Sequence, residues 1–380
     1  MNDSIDKSKD ISKDKNMLIT WEVDPNMIHE TTLKEPDLAL YDVRNDPFEI
    51  YGLYNPKSDD VFRRLPYEVA EATNPGLRKL HRDTAGGRIR FTTDSKYVAI
   101  KAVMPFVGQM AHVSLLGSSG FDMYIDYDEP GVMSRYCGAF QPKVGMTNGY
   151  ESIIRFPDRR MRHLTINMPP YNHVDRLYIG LQNDARIEGG KKYINKKPII
   201  FYGSSITQGA CSSRPGLNYQ NMLARRFEVD YINLGFSGNG RAEIPIVEYM
   251  AGLDISMFVS DYDHNAPNPD YLKQTHKRMY DMIREKHPDI PYIMLSRPDF
   301  DCGYDESILR RNVIMETYRL AREAGDKNVY YIDGAGIFRG PDEDMCTVDR
   351  SHPSDIGFAK MADAIGETML RAMRKKSLAD

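Results

Sequence analysis

The sequence predicts an α/β protein in two parts. Residues 17–190 read as an antiparallel, jelly-roll-like β-sandwich, and residues 195–380 as a three-layer αβα unit with a five-stranded parallel sheet. Three observations lead there. A chain of 380 residues exceeds the size at which single cores usually stop growing. Its first half holds short β-branched and aromatic runs separated by turn clusters. Its second half alternates apolar runs with longer stretches of helical periodicity, five times over.

Residues 1–16, MNDSIDKSKDISKDKN, are polar and of mixed charge, so a disordered leader is expected. They hold no apolar stretch of the kind a secretory signal needs, which makes a cytoplasmic location the expectation. Strand-like runs follow at Val61–Leu65, Arg88–Phe91, Tyr97–Val103, His112–Leu116, Phe121–Tyr127, Ser152–Phe156, His163–Asn167 and Asp175–Leu181. Between them stand turn formers such as Asn74-Pro75-Gly76, Gly86-Gly87, Glu129-Pro130-Gly131 and Asn148-Gly149, and this spacing suits a sandwich. Residues 183–197 are polar and glycine-bearing, a linker composition.

After the linker each strand is followed by a helix. Ile199–Tyr202 precedes a helix at 217–227, Val229–Leu234 one at 243–252, and Ile255–Ser260 one at 269–286. Tyr292–Leu295 precedes a helix at 306–324, and Val329–Ile332 one at 355–374. Five such repeats imply a parallel sheet covered on both faces, with right-handed crossovers.

Composition narrows the function. Lys and Arg total 50 against 54 Asp and Glu, a net charge of −4, whereas a nucleic-acid binder would need a basic face. No apolar run approaches the roughly 20 residues that span a bilayer, so no membrane partner is expected. Cys137, Cys211, Cys302 and Cys346 lie far apart and fit neither a disulfide scaffold nor a zinc cage. Reduced thiols, no metal and no other cofactor are expected. Cys211 is close to the candidate site, but nothing marks it as activated. His29, His81, His112, His163 and His173 do not cluster at ligand spacing and read as structural.

In open α/β sheets ligands bind at the carboxyl ends of the strands, and there the second half carries its chemistry. Ser205 follows the first strand, Gly238 the second, and Asp261, Asp263, His264, Asn265 and Asn268 the third. After the fifth strand, Asp349 and His352 stand three residues apart just before the last helix. Each fits one task in acyl transfer. Ser205 would attack, His352 would take its proton, and Asp349 would orient the imidazole. The N–H groups of Ser205 and Gly238 and the amide of Asn265 would form the oxyanion hole. His264, Arg214 and Arg241 lie on loops that should rim the crevice, where they could contact substrate.

The order Ser, Gly, Asn, Asp-x-x-His at successive strand ends resembles the SGNH (GDSL) hydrolase superfamily over about residues 195–375. GSSIT at 203–207 resembles its first block, NLGFSGNG at 233–240 its second, DYDHNAPN at 261–268 its third and DRSH at 349–352 its last. TQGACSSRPG at 207–216 is similar to the carbohydrate acetyl-esterase branch. GFDMY at 120–124 resembles the Gly-x-Asp-Leu-Tyr motif of the sandwich domain that precedes such hydrolases, with Met123 in place of leucine. It reads as a docking turn, or else as a wall of the active site. The resemblance implies a flavodoxin-like sheet and metal-independent ester hydrolysis, often deacetylation of carbohydrates. Two departures stand out. Ser204 replaces the family's usual aspartate before the nucleophile, and DYDHN replaces its Gly-x-Asn-Asp third block. The third oxyanion donor therefore stays open between Asn265 and another residue within Asp263–Asn268.

The expected function is a serine esterase removing a small acyl group, acetyl first, from a small-molecule or oligosaccharide ester. The chain could act alone or as a homo-oligomer. Two other functions compete. A metal-dependent phosphoesterase could use Asp261, Asp263, His264, Asp349 and His352, though it leaves Ser205 unexplained. A non-catalytic carbohydrate-binding protein would leave the whole triad unexplained.

Overall fold

The computed structural model describes residues 31–129, 131–299, 301 and 303–377. The expected leader, residues 17–30, His29 and Cys302 lie outside them. Two antiparallel sheets come first. Their elements are β1 (Leu38–Asp42), β2 (Glu49–Tyr51), α1 (Tyr67–Thr73), α2 (Pro75–Leu80), β3 (Arg88–Thr93), β4 (Tyr97–Val103), α3 (Leu115–Ser119), β5 (Phe121–Asp126), β6 (Arg135–Phe140), β7 (Gly149–Arg155), β8 (Arg162–Asn167), β9 (Arg176–Gln182) and β10 (Ile187–Gly189). One sheet runs β1-β9-β4-β7 and the other β10-β3-β8-β5-β6, with β2 also paired to β3. Alternation along β4 shows why they stack as a sandwich. Val98, Ile100 and Ala102 enter the core shared with Phe91 and Ile166 of the other sheet, while Tyr97 and Ala99 face the opposite way.

Two expected strands are not strands. In Val61–Leu65, Phe62 and Leu65 are fully buried, but the segment stays irregular. Its apolar spacing comes from anchoring a loop. Around His112–Leu116 the Ser114 side chain accepts from the Gly117 N–H and starts α3 instead. The expected linker contributes β10, which pairs with β3.

The second unit comprises β11 (Ile199–Gly203), α4 (Ser205–Gln208), α5 (Tyr219–Phe227), β12 (Tyr231–Gly235), α6 (Ile244–Ala251), β13 (Met257–Asp261), α7 (Pro269–Lys286), β14 (Tyr292–Leu295), α8 (Tyr304–Glu323), β15 (Val329–Ile332) and α9 (Asp355–Ser377). All five strands are parallel, in the order β12-β11-β13-β14-β15. That is the flavodoxin-like order, whose switch point lies between the first and third strands. Tyr219 and Leu223 of α5 and Phe358, Met361 and Ile365 of α9 cover one face of the sheet. Residues of α6, α7 and α8, among them Ile246, Leu272 and Ile314, cover the other. Among the described residues no helix is long and apolar enough to cross a membrane.

Buried charges join the two units. The Arg64 guanidinium donates to the carbonyls of Asn233 (3.3 Å) and Gly235 (2.5 Å), and Arg88 pairs with Asp230. Asp122 of GFDMY is fully buried. It accepts from Arg214 (2.7 Å), the Gly216 N–H (2.9 Å) and Asn167 (2.8 Å). The motif therefore docks the sandwich onto the loop after α4.

Candidate active site

The register of the parallel sheet brings the candidate residues to one level. Gly203 is aligned with Gly235 on β12 and with Asp261 on β13, so the chain leaves all three strands side by side. A Cβ on Gly203 would lie 2.1 Å from the Asp261 carbonyl oxygen and from Thr207 Oγ1. Glycine there lets α4 settle against the central strand. Ser204 starts this short helix, its Oγ accepting from the Ile206 N–H at 3.1 Å. The serine in place of an acidic residue is thus a helix cap. Ser205 is the first residue of α4.

His352 reaches Ser205 because α9 crosses back over the sheet to pack beside α5. Arg226 of α5 donates to the Ala362 carbonyl (3.1 Å) and to Asp363 (2.7 Å) of α9. Ser213 binds Asp355 in the first turn of α9 through its N–H (2.9 Å) and hydroxyl (2.6 Å). The loop before α9 closes on itself, with the Val348 N–H donating to the His352 carbonyl at 2.9 Å. Ser205 Oγ lies 2.9 Å from His352 Nε2, and His352 Nδ1 lies 2.8 Å from Asp349 Oδ2. The other carboxylate oxygen accepts the N–H groups of Ser351 (3.1 Å) and His352 (2.8 Å). Partial burial raises the Asp349 pKa, but these N–H groups and the imidazole outweigh it and hold the carboxyl below its usual range.

Gly238 has φ +69° and no heavy atom within 4 Å of where a Cβ would stand. It is a glycine for its backbone conformation, with open space beside it. Its carbonyl accepts two bonds from Arg241, at 3.1 and 2.9 Å, and the preceding Ser237 N–H is held by Gln208 Oε1 at 2.9 Å. Asn265 braces the same loop, its Nδ2 donating to the Phe236 carbonyl at 2.8 Å, which leaves a second N–H on that amide. The N–H groups of Ser205 and Gly238 make no hydrogen bond to another group among the described residues.

The other expected contacts fare differently. Arg241 stays on the rim, clamped to Gly238. Arg214 is drawn away to Asp122 and stacks 3.8 Å over the Tyr136 ring. It is a junction residue, because a buried carboxylate needs a cation. His264 corrects the expectation of an exposed loop histidine. Its side chain is 9% exposed, with Nε2 2.6 Å from Asp299 and Nδ1 3.3 Å from Asp263. Burial lowers its pKa, but the two carboxylates prevail and lift it to about 10, so the ring is a buried cation. Arg297 completes the network by a two-pronged pairing with Asp299 (3.0 and 2.7 Å). Asp261, Asp263 and His264 do lie within ligand distance of one another, but Asp349 and His352 face Ser205. The five residues of the phosphoesterase alternative thus fall into two groups, and the cationic ring in the first is a poor metal ligand.

Four more residues support the site. The Tyr171 hydroxyl donates to the Ser205 carbonyl at 3.1 Å. Gln208 Nε2 donates to Asp83 and to the Pro170 carbonyl, both at 2.9 Å. Burial raises the Asp83 pKa to about 7 against the pull of Arg64. His112, expected to be purely structural, lies against the His352 imidazole, with the two ring centroids 5.4 Å apart. Gln208 lies within the TQGACSSRPG motif, and no local motif marks the other three.

Residues 196–370 match the GDSL-like lipase/acylhydrolase family, and residues 38–187 match the GxDLY module, the N-terminus of Esterase_SGNH_hydro-type proteins. Among solved structures, a GDSL-like lipase-family protein from Bacteroides ovatus is 27% identical with a TM-score of 0.79, over 89% of this chain and 98% of that one. The salicylyl-acyltransferase SsfX3 of a tetracycline biosynthetic pathway is similar in fold at 18% identity and TM-score 0.71, over 89% and 98%. So is a family two carbohydrate esterase from Clostridium thermocellum, solved with cellohexaose, at 13% identity and TM-score 0.59, over 86% and 99%. No curated protein sequence matches significantly. With the order of blocks, the sheet topology and both matched regions in agreement, residues 196–370 are a GDSL-like lipase/acylhydrolase-family unit preceded by a GxDLY module at 38–187, and the protein is an esterase or acylhydrolase.

Proposed function

We propose that this chain is a serine esterase that removes small acyl groups, acetyl first, from carbohydrate or similar esters through a Ser205–His352–Asp349 triad. One observation carries the reading: Ser205 Oγ at 2.9 Å from His352 Nε2, with Asp349 at 2.8 Å from the other ring nitrogen. Ser205 Oγ attacks the ester carbonyl carbon while its proton passes to Nε2. The oxyanion is met by the N–H groups of Ser205 and Gly238 and by the free N–H of Asn265. The carbonyl re-forms as the alcohol departs with the proton from Nε2, leaving an acyl-serine. Water then attacks the acyl carbon, gives a proton to Nε2, and the acid leaves as Ser205 recovers its hydrogen. Asp349 stays ionised and holds the ring.

A carbohydrate alcohol is proposed from the TQGACSSRPG resemblance, and the carbohydrate-esterase fold neighbour makes such esters the first to try. Purified protein would be incubated with acetylated xylo-, manno- and amino-sugar oligomers beside an aryl acetate, with lost acetyl groups read by mass. Deacetylation of at least one oligomer is expected, abolished by Ser205→Ala. Turnover that survives Ser205→Ala, or none on any ester, would sink the proposal.

A further inference from the structure

We propose that His112, Cys211 and His352 form a binding site for one zinc-like divalent ion, and that the ion switches the esterase off by taking the catalytic imidazole. His112 precedes α3 in the sandwich, Cys211 lies in the turn after α4, and His352 in the loop before α9. One ligand atom from each comes within 4.8 Å of the other two. Tetrahedral zinc holds nitrogen at about 2.0–2.1 Å and sulfur at about 2.3 Å, which sets ligand atoms roughly 3.3–3.7 Å apart. A contraction of about 1 Å completes the site, and His112, exposed on its loop, can swing to supply it. Cys211 is already beside it, its Sγ 3.3 Å from the His112 carbonyl oxygen.

The donor chemistry selects the ion. One thiolate and two imidazoles suit zinc and its softer relatives and disfavour magnesium and calcium. Asp349 engages His352 Nδ1, so the ion would compete with Ser205 Oγ for Nε2, and a carboxylate behind a ligating histidine is the arrangement zinc sites use. Three protein ligands leave a fourth position for water.

The switching half rests on His352 being the base; the binding half does not. The full chain would be titrated with Co2+, following thiolate-to-cobalt absorption, and then assayed with Zn2+ during aryl-acetate hydrolysis. One ion per chain is expected, with the cobalt band also present in Ser205→Ala. Zinc should lower turnover at least tenfold, and a chelator should restore it. Cys211→Ser should hydrolyse the ester normally without metal and be at least tenfold less zinc-sensitive, and His112→Gln, compared with its own metal-free rate, should show the same loss of zinc sensitivity. A missing thiolate band overturns the site, as does zinc sensitivity equal to wild type in both variants. A band with unimpaired turnover overturns the switch and indicts His352 as base, whereas loss of ester turnover in metal-free protein would indict the function and leave the cobalt result standing.

Discussion

Replacing Asp349 with asparagine removes one charge and little else. The asparagine oxygen can still accept the N–H groups of Ser351 and His352, so the loop should keep its shape. What disappears is the carboxylate 2.8 Å from His352 Nδ1, just when proton transfer makes the ring cationic. At a charge separation of about 4 Å the attraction is about 4 kcal/mol at an effective dielectric of 20 and about 1 kcal/mol in bulk water. The His352 and Asp349 side chains are 23% and 36% exposed, which places the loss between these limits, about 2–3 kcal/mol or roughly 30- to 150-fold in rate. Asparagine can also turn its NH2 toward Nδ1 and favour the tautomer with its hydrogen on Nε2, which cannot accept from Ser205. Together these set the fall in kcat at about 10²- to 10³-fold, with KM nearly unchanged, because the attraction develops only in the transition state. Steady-state hydrolysis of p-nitrophenyl acetate would measure it, with a thermal melt to show the variant folds. A folded Asp349→Asn enzyme within threefold of the wild-type kcat would refute the reasoning.

Other perturbations test the rest of the site. Gly238→Ala forces alanine to φ +69° at about 1–2 kcal/mol, and kcat on the same ester should fall at least tenfold with KM held. Asn265→Ala removes the proposed third oxyanion donor, for which about 3–4 kcal/mol of barrier is usual, so kcat should drop by at least 10²-fold. Gln208→Ala strips partners from buried Asp83 and from the Ser237 N–H. At about 1–3 kcal/mol per unsatisfied group, it should lower stability in urea by several kcal/mol. Asp261 is fully buried, and burial raises its carboxyl to about 7 against about 3.9 in an unfolded chain. Its contribution is therefore complete below about pH 4 and is lost as pH rises through 7, on the order of 4 kcal/mol at most. Asp261→Asn should flatten that decline in melts between pH 4 and 8.

The sequence was most legible where one residue and its place on a strand sufficed. Ser205, Gly238 and Asn265 each follow a strand end, and the three-residue spacing of Asp349 and His352 lets one turn join them. What stayed hidden was paired across the chain. Gln208 finds Asp83 125 residues away, and Tyr171 reaches Ser205 from the other half. His264 looked solvent-exposed among Asp and Asn because its cover, Arg297 and Asp299, arrives from the next strand's loop. Arg214 looked like a rim cation, yet the Asp122 carboxylate buried by docking claims it. Val61, Phe62 and Leu65 read as a β-branched and aromatic strand run, since burying a loop's anchors calls for the same residue types without a pairing partner.

The most direct measurement is covalent. The full-length protein would be treated with a fluorophosphonate, which traps nucleophiles activated as in acyl transfer, and its peptides weighed by tandem mass spectrometry. One adduct on Ser205 is expected, forming in step with loss of aryl-acetate hydrolysis and slowed at least 10²-fold by His352→Ala. Inactivation with the adduct on another residue, or full hydrolysis with Ser205 wholly modified, would contradict the triad.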